Sequence, residues 1–525
     1  MQLPFKKVLS TSVVFALFAS LVLFSSCGGD DDATPDTTAP EVTIEGLTND
    51  AAVNGTVVVS LDADQNDLDK VEIYVDGTLV TTLTGSPFQY TWDSNTVQDG
   101  THTIKVVAYD KSGNKTEQQV SVAVTNTLVS FSIAANQLET EEGYAERGFV
   151  FLSDENGKVI ASTEYENGKS YTLKNAEFKG EKFYLSEVLV RTGTESSRSR
   201  VFTFAQIERG KSWKLMYEHD SDETFVGEAT LNFTNFANGY AYYVESNGDQ
   251  AFPDTYHPSQ VVGLRKNPSS LYVERQDEWA TETPTYRLFT NITTGASHTI
   301  NLTNVNIPVT KTTVDLPQDA YYAEVEVRAF AESGVYENAF KLGAFSSSGS
   351  KLTYHYPGTA FPSYYTQIEL EADQFYYSRG SSEKMFDVKY LENEVSFDYS
   401  SNKLNYSAVG DFDLIAVILG YEENTWTLVL PEGTNQAVPV LELPASLSGF
   451  QFPELGLPAE YSLVDFGEIN SYDDLKNFIR NSEYSVDDLF EDGKNYIEMN
   501  YEGPSSGGRK AKKEDHFSAL NLRSE

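Results

Sequence analysis

The sequence predicts an all-β protein built as tandem β-sandwiches, with a short helical segment only near the C-terminus. Short runs of apolar and polar residues alternate along most of the chain, the period-two signature of half-buried strands. The runs are separated by Gly, Asn, Asp and Pro at the close spacing that sandwiches show. Composition agrees, because the chain is rich in Thr and Val and holds 32 Tyr and 31 Phe against only 4 Met, and β-branched and aromatic side chains fit a pleated surface. With 525 residues, 40% of them apolar, there is material for three or four domains, each with its own core.

The N-terminus is read separately. Lys6 and Lys7 lead into an apolar run from Val8 to Phe24, which ends at Ser25, Ser26 and Cys27. A basic start, an apolar stretch and small residues before a break make an export signal, so residues 1–26 are set aside from the fold. A retained membrane helix is the competing reading, and the run stands at the lower limit of length for one. "LFSSC" resembles the lipobox of bacterial lipoproteins, which implies that Cys27, the only cysteine, becomes the acylated N-terminus. Several acyl chains are needed to hold a protein of this size at a membrane, because one binds only marginally. Asp30, Asp31 and Asp32 follow two glycines, and this tract resembles the export signal of Bacteroidota surface lipoproteins. It implies lipid anchoring in the outer membrane with the chain facing outward. Residues 27–40 contain no large apolar side chain and are expected to act as an extended linker.

Residues 41–125 read as a first sandwich. Val71, Ile73 and Val75 alternate toward one face, Asp76-Gly77 supplies a hairpin turn, and Trp92 is placed in the core. Together "APEVTI", "VEIYVDG", "SPFQYTWD" and "DGTHTIKVVAYD" resemble the bacterial Ig-like domains found as modules in exported proteins, which implies a spacer role. Asp62, Asp64, Asn66, Asp67 and Asp69 are spaced so that they could coordinate calcium, with Asp110 joining from another strand; the mid-loop Gly and distal Glu of an EF-hand are missing. No other cofactor is implied.

Further sandwiches are expected at 126–222, where "DENGK" (Asp154 to Lys158) reads as a hairpin turn, and at 223–308, followed by a β-rich domain at 309–470 that contains "LIAVILGY" and "TWTLVL". In 471–500, Ser471 and Asp474 form a capping box before Leu475, Phe478 and Ile479 at helical spacing, and Ser485 to Phe490 reads as a second short turn. The tail 501–525 is Gly, Ser and charge, and is expected to stay unstructured despite its basic cluster Arg509, Lys510, Lys512 and Lys513.

A formal charge of −40 argues against nucleic-acid binding, which needs basic surface to release counterions, and no nucleotide loop is present. The six histidines lie far apart, with no HxH or HExxH pair for zinc. With 78 acidic residues, any pair of glycosidase carboxylates would be an arbitrary choice. The expectation is a non-enzymatic surface lipoprotein whose distal domains bind an extracellular ligand, foremost a polysaccharide. The alternatives are a structural or adhesive subunit that binds protein, and a surface hydrolase. Candidate ligand residues are Tyr354, Tyr356, Tyr364 and Tyr365 in "YHYPGTAFPSYY", and Trp279 in "RQDEWATETP", because flat rings with hydroxyls stack on sugars. The competing reading for the tyrosines is that they pack beneath their own loop.

Overall fold

A computed structural model describes residues 36–504, apart from 64–66, 142–143, 194–196, 216–224, 383–386, 422–423, 482–485 and 491–492. Cys27, the export signal, the acidic tract and the basic tail therefore lie outside the described residues, as does Asp64. The chain divides into two compact units. One gathers the described residues up to Asn49 with Val59–Tyr90 and Thr103–Ser121; the other gathers Asp50–Val58, Thr91–His102 and the chain from Val122 onward. No helix among the described residues is long and apolar enough to cross a membrane.

The first unit carries the expected alternation. In strand Leu68–Val75, Val71, Ile73 and Val75 are buried while their neighbours are part-exposed. The strand turns through Asp76 and Gly77, whose φ values of 49° and 77° are both positive, into Thr78–Leu83. Both positive angles are what a two-residue hairpin matching the strand twist requires, and Gly and Asp tolerate them best. Trp92, which the contacts assign to the second unit, is buried as expected and meets His102 edge-on at 6.3 Å.

The second unit corrects the expected domain boundaries. Strands from the expected second sandwich (Tyr144–Ser153, Lys182–Gly193, Ser197–Glu208) and from the expected 309–470 domain share one 13-stranded sheet. The seam is a parallel pairing of Ser197–Glu208 with Asn424–Leu430, in register from Ser199↔Asn424 to Phe204↔Val429. Strand Tyr496–Glu502 runs from the stretch expected to hold only short helices into the tail expected to stay unstructured. It is not an edge: it pairs with Glu460–Phe466 on one side and Phe375–Ser381 on the other.

This sheet has a core on each face. Ile415, Val417 and Leu419 point into one core and Leu414 and Ala416 into the other, so the unbroken run "LIAVILGY" is a strand covered on both sides, not a half-buried one. Each fully buried Leu, Ile or Val side chain of this kind contributes about 1.5–3 kcal/mol. Helix Tyr472–Asn481 closes the second core with Tyr472, Leu475 and Ile479. It starts where the capping box predicts: the Ser471 hydroxyl lies 2.9 Å from the Asp474 carboxylate and accepts the Asp474 N–H at 3.2 Å. The "DENGK" hairpin is also present, with the Gly157 N–H donating to the Asp154 carbonyl at 2.9 Å.

Residues 227–308 form the expected third sandwich as an insertion in that larger body. Its two sheets are Ser259–Leu264, Gly227–Thr234 and Ser297–Asn301 against Gln250–Ala251, Tyr240–Glu245, Ser269–Asp277, Thr285–Ile292 and Ile307–Pro308. Leu231, Phe233, Val244, Val262, Leu271 and Ile300 fill the space between them. The outer face of the five-stranded sheet is also covered, because Tyr272 and Tyr286 pack into the first core of the large sheet. At this junction the fully buried Glu274 carboxylate meets His355 Nε2 at 2.9 Å and accepts from the Tyr272 hydroxyl.

Candidate functional site

Three of the four tyrosines belong to the core at that junction, and the assignment of all four to a ligand is corrected. Tyr354, Tyr356, Tyr364 and Tyr365 are 1%, 9%, 2% and 1% exposed. The first two lie on strand Lys351–Tyr356 and the last two on Ser363–Ala372, so only 357–362 is loop. That loop is pinned: the Tyr286 hydroxyl donates to the Pro357 carbonyl at 2.9 Å and the Tyr364 hydroxyl to the Gly358 carbonyl at 3.1 Å. Rings of Tyr356 and Tyr364 meet edge-on at 5.6 Å. Burial holds the Tyr354 and Tyr364 phenols well above their ordinary range. Tyr354, Tyr356 and Tyr364 pack in the core shared with the inserted sandwich, Tyr365 lies on the opposite face of its strand beside Gly380 and Tyr496, and none of the four has a face left for a sugar.

Trp279 stands differently. It is 81% exposed, and Tyr256, which sequence reading passed over, is 87% exposed. Each stands two residues after an aspartate that builds its turn. Asp277 accepts the N–H groups of Trp279 at 3.3 Å and Thr281 at 2.8 Å. Asp254 accepts those of Tyr256 at 2.7 Å and His257 at 2.6 Å. These bonds hold both carboxyls below their usual range: for Asp277 the Thr281 hydroxyl is the chief cause, for Asp254 the His257 N–H. Side-chain caps of this kind fix a turn locally, so each ring is presented on a preformed support and loses little freedom on binding.

Strand pairing brings both turns to one end of the sandwich. The Glu278 N–H donates to the Gly239 carbonyl at 3.1 Å, just ahead of strand Tyr240–Glu245, and the Phe233 N–H to the Pro258 carbonyl at 2.8 Å, at the end of Gly227–Thr234. Five residues, 235–239, join those two strand ends. Phe252, 64% exposed, begins the Tyr256 loop and tilts against Tyr243 at 5.6 Å. Asp254, Glu278 and Glu282 are exposed and Asp277 half-buried around the rings, while the Arg275 guanidinium lies 4.5 Å over Tyr240. The shared signal was in the sequence: Asp254-Thr255-Tyr256 and Asp277-Glu278-Trp279 follow one pattern.

The calcium set is partly reassembled. Asp67 and Asp110 come together, but their third neighbour is Asp36 from the expected linker; carboxylate oxygens of the three lie within 4.8 Å of one another. Asn114 ties the group by donating to the Asp110 carboxylate at 2.8 Å and to the Asp36 carbonyl at 2.9 Å. Donating a hydrogen bond to Asp36 raises the Asp67 carboxyl, and burial and the Asp110 charge add to it. Asp62 is corrected out of the set: it lies exposed on strand Thr56–Ala63, paired with Thr43.

Glu245 and Asp413, the carboxyls raised furthest among the described residues, are buried. Burial pushes Glu245 and Asp413 up to about 7. Glu245 is fully enclosed, accepting the Gly248 N–H at 2.6 Å and the Tyr243 hydroxyl at 3.0 Å, and Asp413 accepts the Phe466 N–H at 2.8 Å.

Residues 40–106 match the bacterial Ig domain family. That match takes in strands Val42–Glu45 to Gln89–Asp93 and the first part of Gly100–Asp110. No curated protein matches the chain. Among solved structures, the fibronectin(III)-like modules of Clostridium thermocellum CbhA are 24% identical over 16% of this chain and 96% of theirs, with a TM-score of 0.14. SGBP-B of the Bacteroides ovatus mixed-linkage glucan utilization locus, solved with a mixed-linkage heptasaccharide, is 10% identical over 64% of this chain and 100% of its own, with a TM-score of 0.16. A tetra-tandem repeat from the extending region of a large adhesion protein is 11% identical over 82% of this chain and 94% of its own, with a TM-score of 0.15. Scores this low carry no argument about function.

Proposed function

We propose that the protein is a non-catalytic cell-surface lipoprotein, anchored through Cys27, that captures polysaccharide on the two aromatic turns of the 227–308 sandwich. The Ig module serves as a spacer between anchor and binding end. Anchoring and outward display rest on "LFSSCGGDDD" alone. Capture rests on one observation: in a chain that buries its tyrosines so thoroughly, Trp279 and Tyr256 stand almost bare, each on a turn preformed by an aspartate. Exposed rings rigidly held suit stacking on the apolar faces of sugars.

The test is affinity electrophoresis of residues 28–525 through plant, algal and host polysaccharides, beside Trp279→Ala and Tyr256→Ala. Retardation by at least one polymer, weakened in both variants, is the expected result. Undiminished retardation in both variants would discard this site.

The adhesive alternative has its own support in the Ig module. Strand Thr78–Leu83 is an uncharged sheet edge with Leu79 and Val80 exposed, the kind of edge to which another strand can add.

A further inference from the structure

We infer that this binding end selects uncharged polysaccharide chains and turns away those carrying uronate or sulfate; the inference rests on the capture reading above. The groups that shape the site also set its charge. Asp254 and Asp277 accept the amide hydrogens that hold the turns, and those bonds favour the ionised form and keep both carboxyls below their usual range. Negative charge is therefore built into each ring's support and cannot be neutralised at neutral pH without loosening the turn.

Glu278 stands between Asp277 and Trp279 with its side chain exposed, and Glu282 closes the same turn while accepting the Tyr240 hydroxyl at 2.8 Å. Arg275, the cation on the adjoining strand, spends its face on Tyr240, and His257 is turned toward Asp254 at 3.1 Å. A polymer lying along the rings passes within roughly one Debye length, about 8 Å at physiological ionic strength, of these carboxylates. A neutral chain meets no penalty there. It also finds carboxylates able to accept from sugar hydroxyls, an option that an anionic chain forfeits to repulsion.

The test uses matched polymers that differ in charge: hydroxyethylcellulose against carboxymethylcellulose, methyl-esterified against de-esterified pectin, and agarose against carrageenan, with affinities measured by biolayer interferometry at 20 and 500 mM NaCl. The variants are Trp279→Ala, and Glu278→Lys, whose side chain makes none of the turn's hydrogen bonds. The expected result is binding of at least one neutral member, lost in Trp279→Ala and nearly independent of salt, with its anionic partner weaker at 20 mM and recovering at 500 mM. Glu278→Lys should raise binding of the anionic member about fivefold at 20 mM NaCl, from a two-unit charge change at about 8 Å in water. Binding of an anionic member as tight as or tighter than its neutral partner at 20 mM, and lost in Trp279→Ala, would overturn the selection while leaving capture intact. Binding to no polymer, or binding unaffected by Trp279→Ala, would overturn the capture reading and this inference with it.

Discussion

Thr203→Val tests whether the segments 126–222 and 414–502 are one cooperative body. At the parallel seam the Trp426 indole N–H donates to the Thr203 hydroxyl at 2.8 Å, and the same hydroxyl lies 2.7 Å from that of Ser186. All three residues are buried. Valine keeps the shape and removes the acceptor. The Ser186 hydroxyl can rotate, but the indole N–H stays where it is, and a buried neutral donor left without a partner costs about 1–3 kcal/mol. The methyl that replaces the hydroxyl offsets about 0.8 kcal/mol at most. The net expectation is a loss of about 1–2 kcal/mol, read as a lower urea midpoint from the fluorescence of buried tryptophan. Amide hydrogen exchange supplies the decisive comparison: protection should fall together in Tyr144–Ser153, Lys182–Gly193 and Leu414–Tyr421, which belong to one sheet. A fall confined to Leu414–Tyr421, with the earlier strands unchanged, would mean that two independent sandwiches merely touch at the seam, and would refute the single-body reasoning.

Tyr364→Ala should cost about 3–5 kcal/mol by emptying a buried ring site, and calorimetry should show a large drop in melting temperature whether or not polysaccharide is present. Gly77→Val places a β-branched side chain at a φ of 77° and should destabilise the Ig module by about 1–2 kcal/mol; exchange protection should fall in Leu68–Val75 and Thr78–Leu83 and hold in the large sheet. Ser471→Ala removes the helix cap and should cost about 1 kcal/mol, seen as faster exchange in Tyr472–Asn481. For Glu245 the folded carboxyl is raised from an ordinary 4.5 to about 7, so the folded state binds the extra proton. Its contribution is full below about pH 4.5 and is lost as pH rises through about 7, and Glu245→Gln should flatten that slope in urea titrations between those limits.

What could be read from the sequence divides by distance along the chain. The Asp76-Gly77 turn, the "DENGK" hairpin and the Ser471/Asp474 cap are each decided by bonds among residues within five positions, and each is where the sequence places it. The apolar run Leu414–Tyr421 could be recognised as a strand, even as one covered on both faces, because both of its side-chain sets are aliphatic. Its sheet could not be assigned, because the seam joins Ser199 to Asn424 across 225 residues and nothing local in either strand names the other. The same limit governs the aromatics. "YHYPGTAFPSYY" looks like a loop rich in rings, and its prolines and glycine do make a loop; what buries Tyr354, Tyr356 and Tyr364 is the core they share with Tyr272 and Tyr286 from the inserted sandwich, and the strands flanking the loop, all supplied by tertiary pairing. Trp279 and Tyr256 are the converse. Their turns are closed by their own aspartates, so no distant partner was needed to predict that the rings point outward. An aromatic residue two positions after a turn-forming aspartate is thus a sounder guide to an exposed ring in this chain than a cluster of tyrosines, because its environment is settled before the fold is.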